Sequence, residues 1–347
     1  VTPSRRRLIL ITALLSVAVA VVVAGCGGKK EDVGPAPVSR FDLVLDYTPN
    51  PDHAGIYQAI SDGSFRRAGL DVRAQVPSDP SAPLKLVAAG SADMAISYEP
   101  ELLLARDKGL RLVSVGAVVQ RPLTSIVALP ASGIRKPADL RGKRVGTAGI
   151  PYQSDYLATI LEHAGRDPRD VREINVGFNL VPAMLSKKVD ATLGAFWNVE
   201  GVQLRAQRRN PVIIPVDQAG VPTYEELVLV VREDTARNDG PKLRRFLRAL
   251  SQGYEAARRN PGAAVDALVA ADRTLNRREM LASLEATLPA FFPAATDKPF
   301  GFQNPVEWRA YAAWMLSHRL LQRPANLLKA LTNEFLPGEG VDTSSVS

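Results

Sequence analysis

Acids, amides and aromatic rings recur in this chain at one kind of place, the ends of short apolar runs that read as strands. Asp46, Tyr47, Asn50, His53 and Tyr57 close or follow the run 41–47. Ser97, Tyr98 and Glu99 follow 94–96, and Gly149, Ile150, Pro151 and Tyr152 follow 143–147. Trp197, Asn198 and Glu200 follow 191–196, while Tyr224, Glu225 and Glu226 precede the run 227–231. In open α/β sheets, ligands bind beyond the carboxyl ends of the strands, so these are the candidate site residues. A Trp197 ring suits stacking on a planar ligand or packing between lobes. A carboxylate such as Glu226 either accepts two hydrogen bonds from an amino-heterocycle or sits solvated before a strand. His53 suits a capping or supporting place better than acid–base catalysis. Gly146 and Gly149 before a helix could offer backbone N–H groups to an anion, without a full phosphate-loop pattern.

Other chemistries lack their residues. No nucleophile–base motif such as Gly-x-Ser-x-Gly occurs, and His53, His163 and His318 have no spacing typical of a ligand set. One cysteine, Cys26, excludes an intramolecular disulfide framework and a thiolate metal cluster. Neither a metal nor another cofactor is expected. The net charge of +7 includes three arginines within residues 1–25, a stretch with no acid. The rest carries mixed-sign clusters, such as Arg205 to Arg209, that read as solvated helix faces rather than a nucleic-acid surface.

The elements that must position these residues alternate. The run 41–47 is a strand ended by Pro49-Asn50-Pro51, residues 54–68 carry helical spacing, and 72–76 is a second strand. That order argues for a parallel α/β unit. A weak repeat follows: 72–97 and 171–196 both run strand, turn, helix, Asp, strand, with Asp93 and Asp190 at matching points. The strand 143–147 and the helix 153–164, capped by Gly165, mirror the opening strand and helix. Two related α/β lobes explain this. The β-branched runs 125–129 and 227–231 read as crossings between lobes. Lobe 1 is then discontinuous (40–128 and 229–335), with lobe 2 inserted (129–228) and a disordered tail at 336–347. Residues 243–254 follow helical spacing, Asn276 with Glu279 forms a capping-box pattern, and 308–321 supplies another helix.

At the amino-terminal side, Arg5 to Arg7 precede a mostly apolar stretch, 8–23, and then Ala24-Gly25-Cys26. That is the order of a secretory signal peptide, and it falls short of the ~20 apolar residues of a spanning helix. Val23-Ala24-Gly25-Cys26 resembles a bacterial lipobox, which implies cleavage before Cys26, acylation there, and a lipid anchor outside the cytoplasmic membrane. Residues 26–39, rich in Gly, Pro and charge, read as a flexible tether.

Several motifs together resemble the NMT1/THI5-like (SsuA/THI5-like) family of solute-binding proteins. They are residues 45–57 (LDYTPNPDHAGIY), 90–97, 139–143 (DLRGK), 196–201 (FWNVEG) and 221–227 (VPTYEEL), within a resemblance spanning about 41–335. The opening and Trp-Asn-Val-Glu-Gly motifs are similar to the branch that takes thiamine pyrimidine precursors, formylaminopyrimidine and hydroxymethylpyrimidine. A sister branch binds riboflavin, and more distant relatives take sulfonates or nitrate. The resemblance implies a type II periplasmic binding protein fold, a small heterocyclic ligand in the interlobe cleft, and an ABC permease with its ATPase as partners. Trp197 would stack on the ring, with Asp46, Asn198 and Glu226 on its polar edge and Tyr47, Asn50 and Tyr57 completing the wall. The same fold serves fungal hydroxymethylpyrimidine phosphate synthases, whose pattern has a cofactor-bearing lysine and a histidine four residues on. Ser97 and Glu101 stand there, and 222–226 replaces a cysteine-rich iron-binding run, so binding rather than chemistry is expected.

Overall fold

The computed structural model describes residues 38–338; the signal segment, Cys26 and all but the end of the tether lie outside them. Ten strands among the described residues form two five-stranded mixed sheets. The first comprises β1 (Ser39–Val44), β2 (Leu70–Gln75), β3 (Met94–Ser97), β4 (Leu112–Val119) and β10 (Leu227–Arg232), in the order β2-β1-β3-β10-β4. The second comprises β5 (Thr124–Ala128), β6 (Arg144–Thr147), β7 (Arg172–Asn175), β8 (Ala191–Phe196) and β9 (Val212–Pro215), in the order β7-β6-β8-β5-β9. Each sheet has three parallel strands, then an antiparallel one, then an outer strand. In the first sheet β10 is the antiparallel member, and in the second it is β5.

The weak repeat in the sequence is therefore a real topological repeat, and its two aspartates do the same work. Asp93 Oδ2 accepts the Asp42 N–H at 2.8 Å, and Asp190 Oδ2 accepts the Arg144 N–H at 2.8 Å. Each backbone N–H returns a bond to the same residue's carbonyl. A carboxylate here fills the ladder position where the third strand joins the first.

The sheet change comes earlier than the β-branched runs suggest. β5 pairs with β8 and β9, so all of it belongs to the second sheet, and the outgoing crossing is the segment 120–123. The returning crossing is 216–226, and β10 is already inside the first sheet, where its burial on both faces explains its unbroken apolar run. At the ends, β1 begins at Ser39, and Leu336, expected in a disordered tail, is buried.

The helix expected over 54–68 is two helices, Ala54–Ser61 and Ser64–Arg67. Gly63 in the left-handed region (φ 77°) breaks it, and the Asp62 carboxylate accepts the Ser64 N–H at 2.8 Å as the second piece starts. Tyr152–His163 ends at Gly165 in the left-handed region (φ 68°). Asn276 accepts from the Arg278 and Glu279 N–H groups and caps Arg277–Thr287. Leu243, Phe246, Leu247, Leu250 and Tyr254 are the buried face of Gly240–Arg259. A run of rings, Tyr98, Tyr152, Tyr156, Tyr224, Tyr311 and Trp314, joins the second sheet's helix to the returning crossing and to Pro305–Ser317. Successive centroids lie 4.9–5.7 Å apart.

Candidate functional site

The carboxyl ends of β1, β3, β6 and β8 converge on a small cavity. The loop after β1 brings Tyr47 and Asn50, and that after β3 brings Tyr98. Ala148, Ile150, Tyr152 and Gln153 come from the turn after β6; Gly194, Phe196, Val199 and Glu200 come from β8 and its exit. Its free volume is ≈ 20 Å³, room for about one water. Tyr47, Asn50, Val199 and Glu200 also face an outer groove of ≈ 360 Å³ that runs along Leu180–Leu185 and Arg277–Thr287. Small-molecule pockets commonly enclose about 300–1,000 Å³, so a ring can enter the inner cavity only if its walls part.

Two polar groups stand out on this wall. The Tyr47 hydroxyl is buried with no hydrogen-bond partner, while its ring meets Phe178 edge-on at 4.6 Å. Burial, then the charges of Glu200 and Asp46, push that hydroxyl's pKa upward. Glu200 opens a helix, and its Oε2 accepts the Phe196 N–H at 2.7 Å. Burial raises its carboxyl to about 7 against the opposing pull of backbone N–H groups. At neutral pH such a group can donate to a ring nitrogen or accept from an amine.

Behind the wall, Asp46 accepts from His53 Nε2 at 2.8 Å and from the Tyr98 hydroxyl at 2.9 Å, all three residues being buried. His53 Nδ1 accepts the Asn50 N–H at 3.3 Å, so the ring proton on Nε2 faces Asp46. His53 is thus a cap that fixes Asn50, and Asp46 orients Tyr98. Asn50 spends its own oxygen on the Asp52 N–H at 2.9 Å.

The remaining sequence candidates fall elsewhere. Tyr57 lies off both cavities on Ala54–Ser61, its hydroxyl pushed up to about 12 by burial and then by Asp272. Ser97 donates to Glu101 at 2.6 Å beneath β3. Trp197 does not line the cavity; its indole N–H donates to the Pro122 carbonyl at 3.2 Å and its backbone N–H to Leu123. Tyr224 packs against Tyr156 and Tyr311 and donates to Glu226 at 3.0 Å. Glu226 does not line it either. It accepts the Leu123 and Thr124 N–H groups at 2.6 and 2.8 Å and the Thr124 hydroxyl at 2.8 Å, tying one crossing to the other. Asn198 is fully buried between Asp52 and Thr287. Trp197 and Asn198 do follow a strand end and Tyr224 and Glu226 do precede one, but all four are taken up by hydrogen bonds or ring packing away from the cavity.

The anion cradle read at Gly146 and Gly149 is filled from within. Gln153 Oε1 takes the Ala148 N–H at 2.8 Å, and Gly149 faces the Asn175 side chain. Gln153, Phe178, Phe196 and Val199 were missed. Gly194 carried a signal, since a glycine inside a strand marks a close approach. Its φ is +107°, and a Cβ there would lie 2.3 Å from Gln153 Nε2. Among the described residues no group of three His, Cys, Asp or Glu could hold a metal, and no helix is long and apolar enough to cross a membrane.

Comparison with known proteins agrees with this architecture. The NMT1/THI5-like family model matches residues 50–264. The formylaminopyrimidine-binding protein of Halalkalibacterium halodurans is 35% identical over 83% of this chain and 88% of its own length. The 4-amino-5-hydroxymethyl-2-methylpyrimidine phosphate synthase of Legionella pneumophila is 26% identical over 86% of this chain and 93% of its own. Among solved structures, the alkanesulfonate-binding protein SsuA from Xanthomonas axonopodis pv. citri superposes with a TM-score of 0.67 at 19% identity, covering 86% of this chain and 99% of that one. It shares the fold of two mixed sheets flanked by helices. The chain belongs to the NMT1/THI5-like family, with the periplasmic binding protein fold.

Proposed function

We propose that this protein is an extracytoplasmic solute-binding component of an ABC importer, and that it captures a thiamine pyrimidine precursor of the formylaminopyrimidine type between its two sheets. The observation that carries the reading is the inner cavity, where aromatic rings flank a single carboxyl, Glu200, beside the unpartnered Tyr47 hydroxyl. An aminopyrimidine presents an amine donor next to a ring-nitrogen acceptor. A carboxyl titrating near 7 matches both, one oxygen accepting while the other donates. Glu200, rather than Glu226, is then the group that reads the amine, and Tyr47, Tyr98, Tyr152 and Phe196 supply the apolar faces. Similarity to the formylaminopyrimidine-binding protein supports the ligand class. The mutual bond of Ser97 and Glu101, away from the cavity, supports binding over synthase chemistry. Cleavage before Cys26 and acylation there would hold the protein at the outer face of the cytoplasmic membrane.

Calorimetry with formylaminopyrimidine, hydroxymethylpyrimidine and riboflavin tests the reading. The pyrimidines should bind the wild type, and Glu200→Gln should lose more affinity for them than for analogues lacking the amine. Riboflavin binding with no response to the pyrimidines would overturn it.

A further inference from the structure

The turn that follows β8 does three jobs in four residues. Trp197 grips the outgoing crossing through Pro122 and Leu123, while Val199 and Glu200 wall the cavity. Between them, Asn198 reaches away from the cavity into the other half of the molecule. Its Nδ2 donates to Asp52 Oδ1 and to Thr287 Oγ1, both at 2.7 Å, and its backbone carbonyl accepts the Ser283 hydroxyl. Asp52 follows β1, and Ser283 and Thr287 lie on Arg277–Thr287, so every partner belongs to chain outside the second sheet and its connections.

The orientation of the amide is fixed by its neighbours. The Thr287 hydroxyl already donates to the Ser283 carbonyl at 2.7 Å, so toward Asn198 it can only accept. Asp52 is anchored in turn, its N–H on Asn50 and its carbonyl on the Tyr254 hydroxyl at 2.6 Å. Asn198, Asp52, Ser283 and Thr287 are all within 1% of full burial. These bonds exist only while the two halves meet.

We infer that Asn198 is the latch of cleft closure, a positioning residue that touches no ligand and holds shut the wall that Glu200 presents. The inference rests on the proposed capture of a ligand in the inner cavity, whose walls must part to admit a ring. Because Asn198 and Glu200 share one short turn, a ligand that draws Glu200 inward seats the latch, and a broken latch frees the wall. Ligand release is then set by three hydrogen bonds remote from the ligand.

Asn198→Asp removes both donors and sets a carboxylate against Asp52, with little change of volume. The double variant Asp52→Asn with Asn198→Asp restores a donor across the same gap. Hydrogen exchange of the ligand-free full chain reads the latch directly. Amides 197–200 and 283–287 should exchange about tenfold faster together in Asn198→Asp and return toward wild type in the double variant. Thr287→Val, which keeps shape and removes the acceptor, should accelerate the same two segments if Asn198→Asp fails to fold. With formylaminopyrimidine as probe, dissociation should speed up by a similar factor while association stays unchanged. Unchanged exchange at 283–287 in both single variants, or no recovery in the double variant, would overturn the latch. A wild type that fails to bind formylaminopyrimidine would count against the ligand assignment alone, because the exchange readout needs no ligand.

Discussion

Glu226 offers a test in which two physical effects oppose each other and the pH dependence shows which prevails. Burial raises its carboxyl from 4.5 to about 7, although two backbone N–H groups and two hydroxyls all favour the charged form. A native value above the unfolded one means that the folded protein holds the proton more tightly. Its stabilising contribution is full below about pH 4.5 and lost as pH rises through 7. The linkage amounts to about 2.5 kcal/mol between pH 5 and pH 8. Glu226→Gln mimics the protonated acid and cannot lose that contribution. Glu101, Glu200 and Glu225 are also raised, to about 7, 7 and 8, but they are common to both proteins and largely cancel in the difference. Urea unfolding at pH 5 and pH 8 should therefore show the Gln variant gaining about 2.5 kcal/mol relative to wild type at the higher pH. Glu226→Ala, which strands the Leu123 and Thr124 N–H groups, should cost about 2–6 kcal/mol at pH 5 and about 2.5 kcal/mol less than that at pH 8, because it too lacks the titrating carboxyl. A constant difference between wild type and Gln, or a gain at pH 5 instead, would show that the four donors keep Glu226 charged and would refute the burial argument.

Three further outcomes follow from single side chains. Tyr47→Phe removes a buried hydroxyl that has no partner, so the urea midpoint should hold or rise by up to about 1 kcal/mol of stability. Its affinity for formylaminopyrimidine should nevertheless fall about tenfold by calorimetry; unchanged affinity would remove Tyr47 from the recognition edge. Gly194→Ala forces a side chain into φ +107° against Gln153, and thermal unfolding should report a loss of about 1–3 kcal/mol. Cys26→Ser should release the protein from membranes while leaving ligand binding intact, and membrane retention measured by fractionation would refute lipid anchoring.

Periodicity and local chemistry made much of this protein legible before any coordinates. Strand–helix alternation, Gly165 as a left-handed cap and Asn276 as a helix start are all local, set by side-chain spacing within a few residues. The Asp93 and Asp190 repeat was readable as a pattern, each aspartate standing just before its own strand, but the bond each makes to a neighbouring strand about fifty residues away was not. The rule that sites gather at strand ends likewise brought Tyr47, Asn50, Tyr98, Tyr152 and Glu200 into view. What sequence could not decide is which of two directions a side chain takes once its strand has ended. Glu200 and Glu226 are the same residue type, each beside a strand, one just after β8 and the other just before β10. One faces the cavity and the other is consumed by N–H groups of a segment more than a hundred residues away. Trp197 and Glu226 turned toward the outgoing crossing because buried backbone donors and acceptors there required partners, and Asn198 turned to the buried Asp52 and Thr287 side chains. That requirement arises only when the two sheets meet, and so tertiary structure alone took these side chains into hydrogen bonds and left Glu200 on the cavity wall.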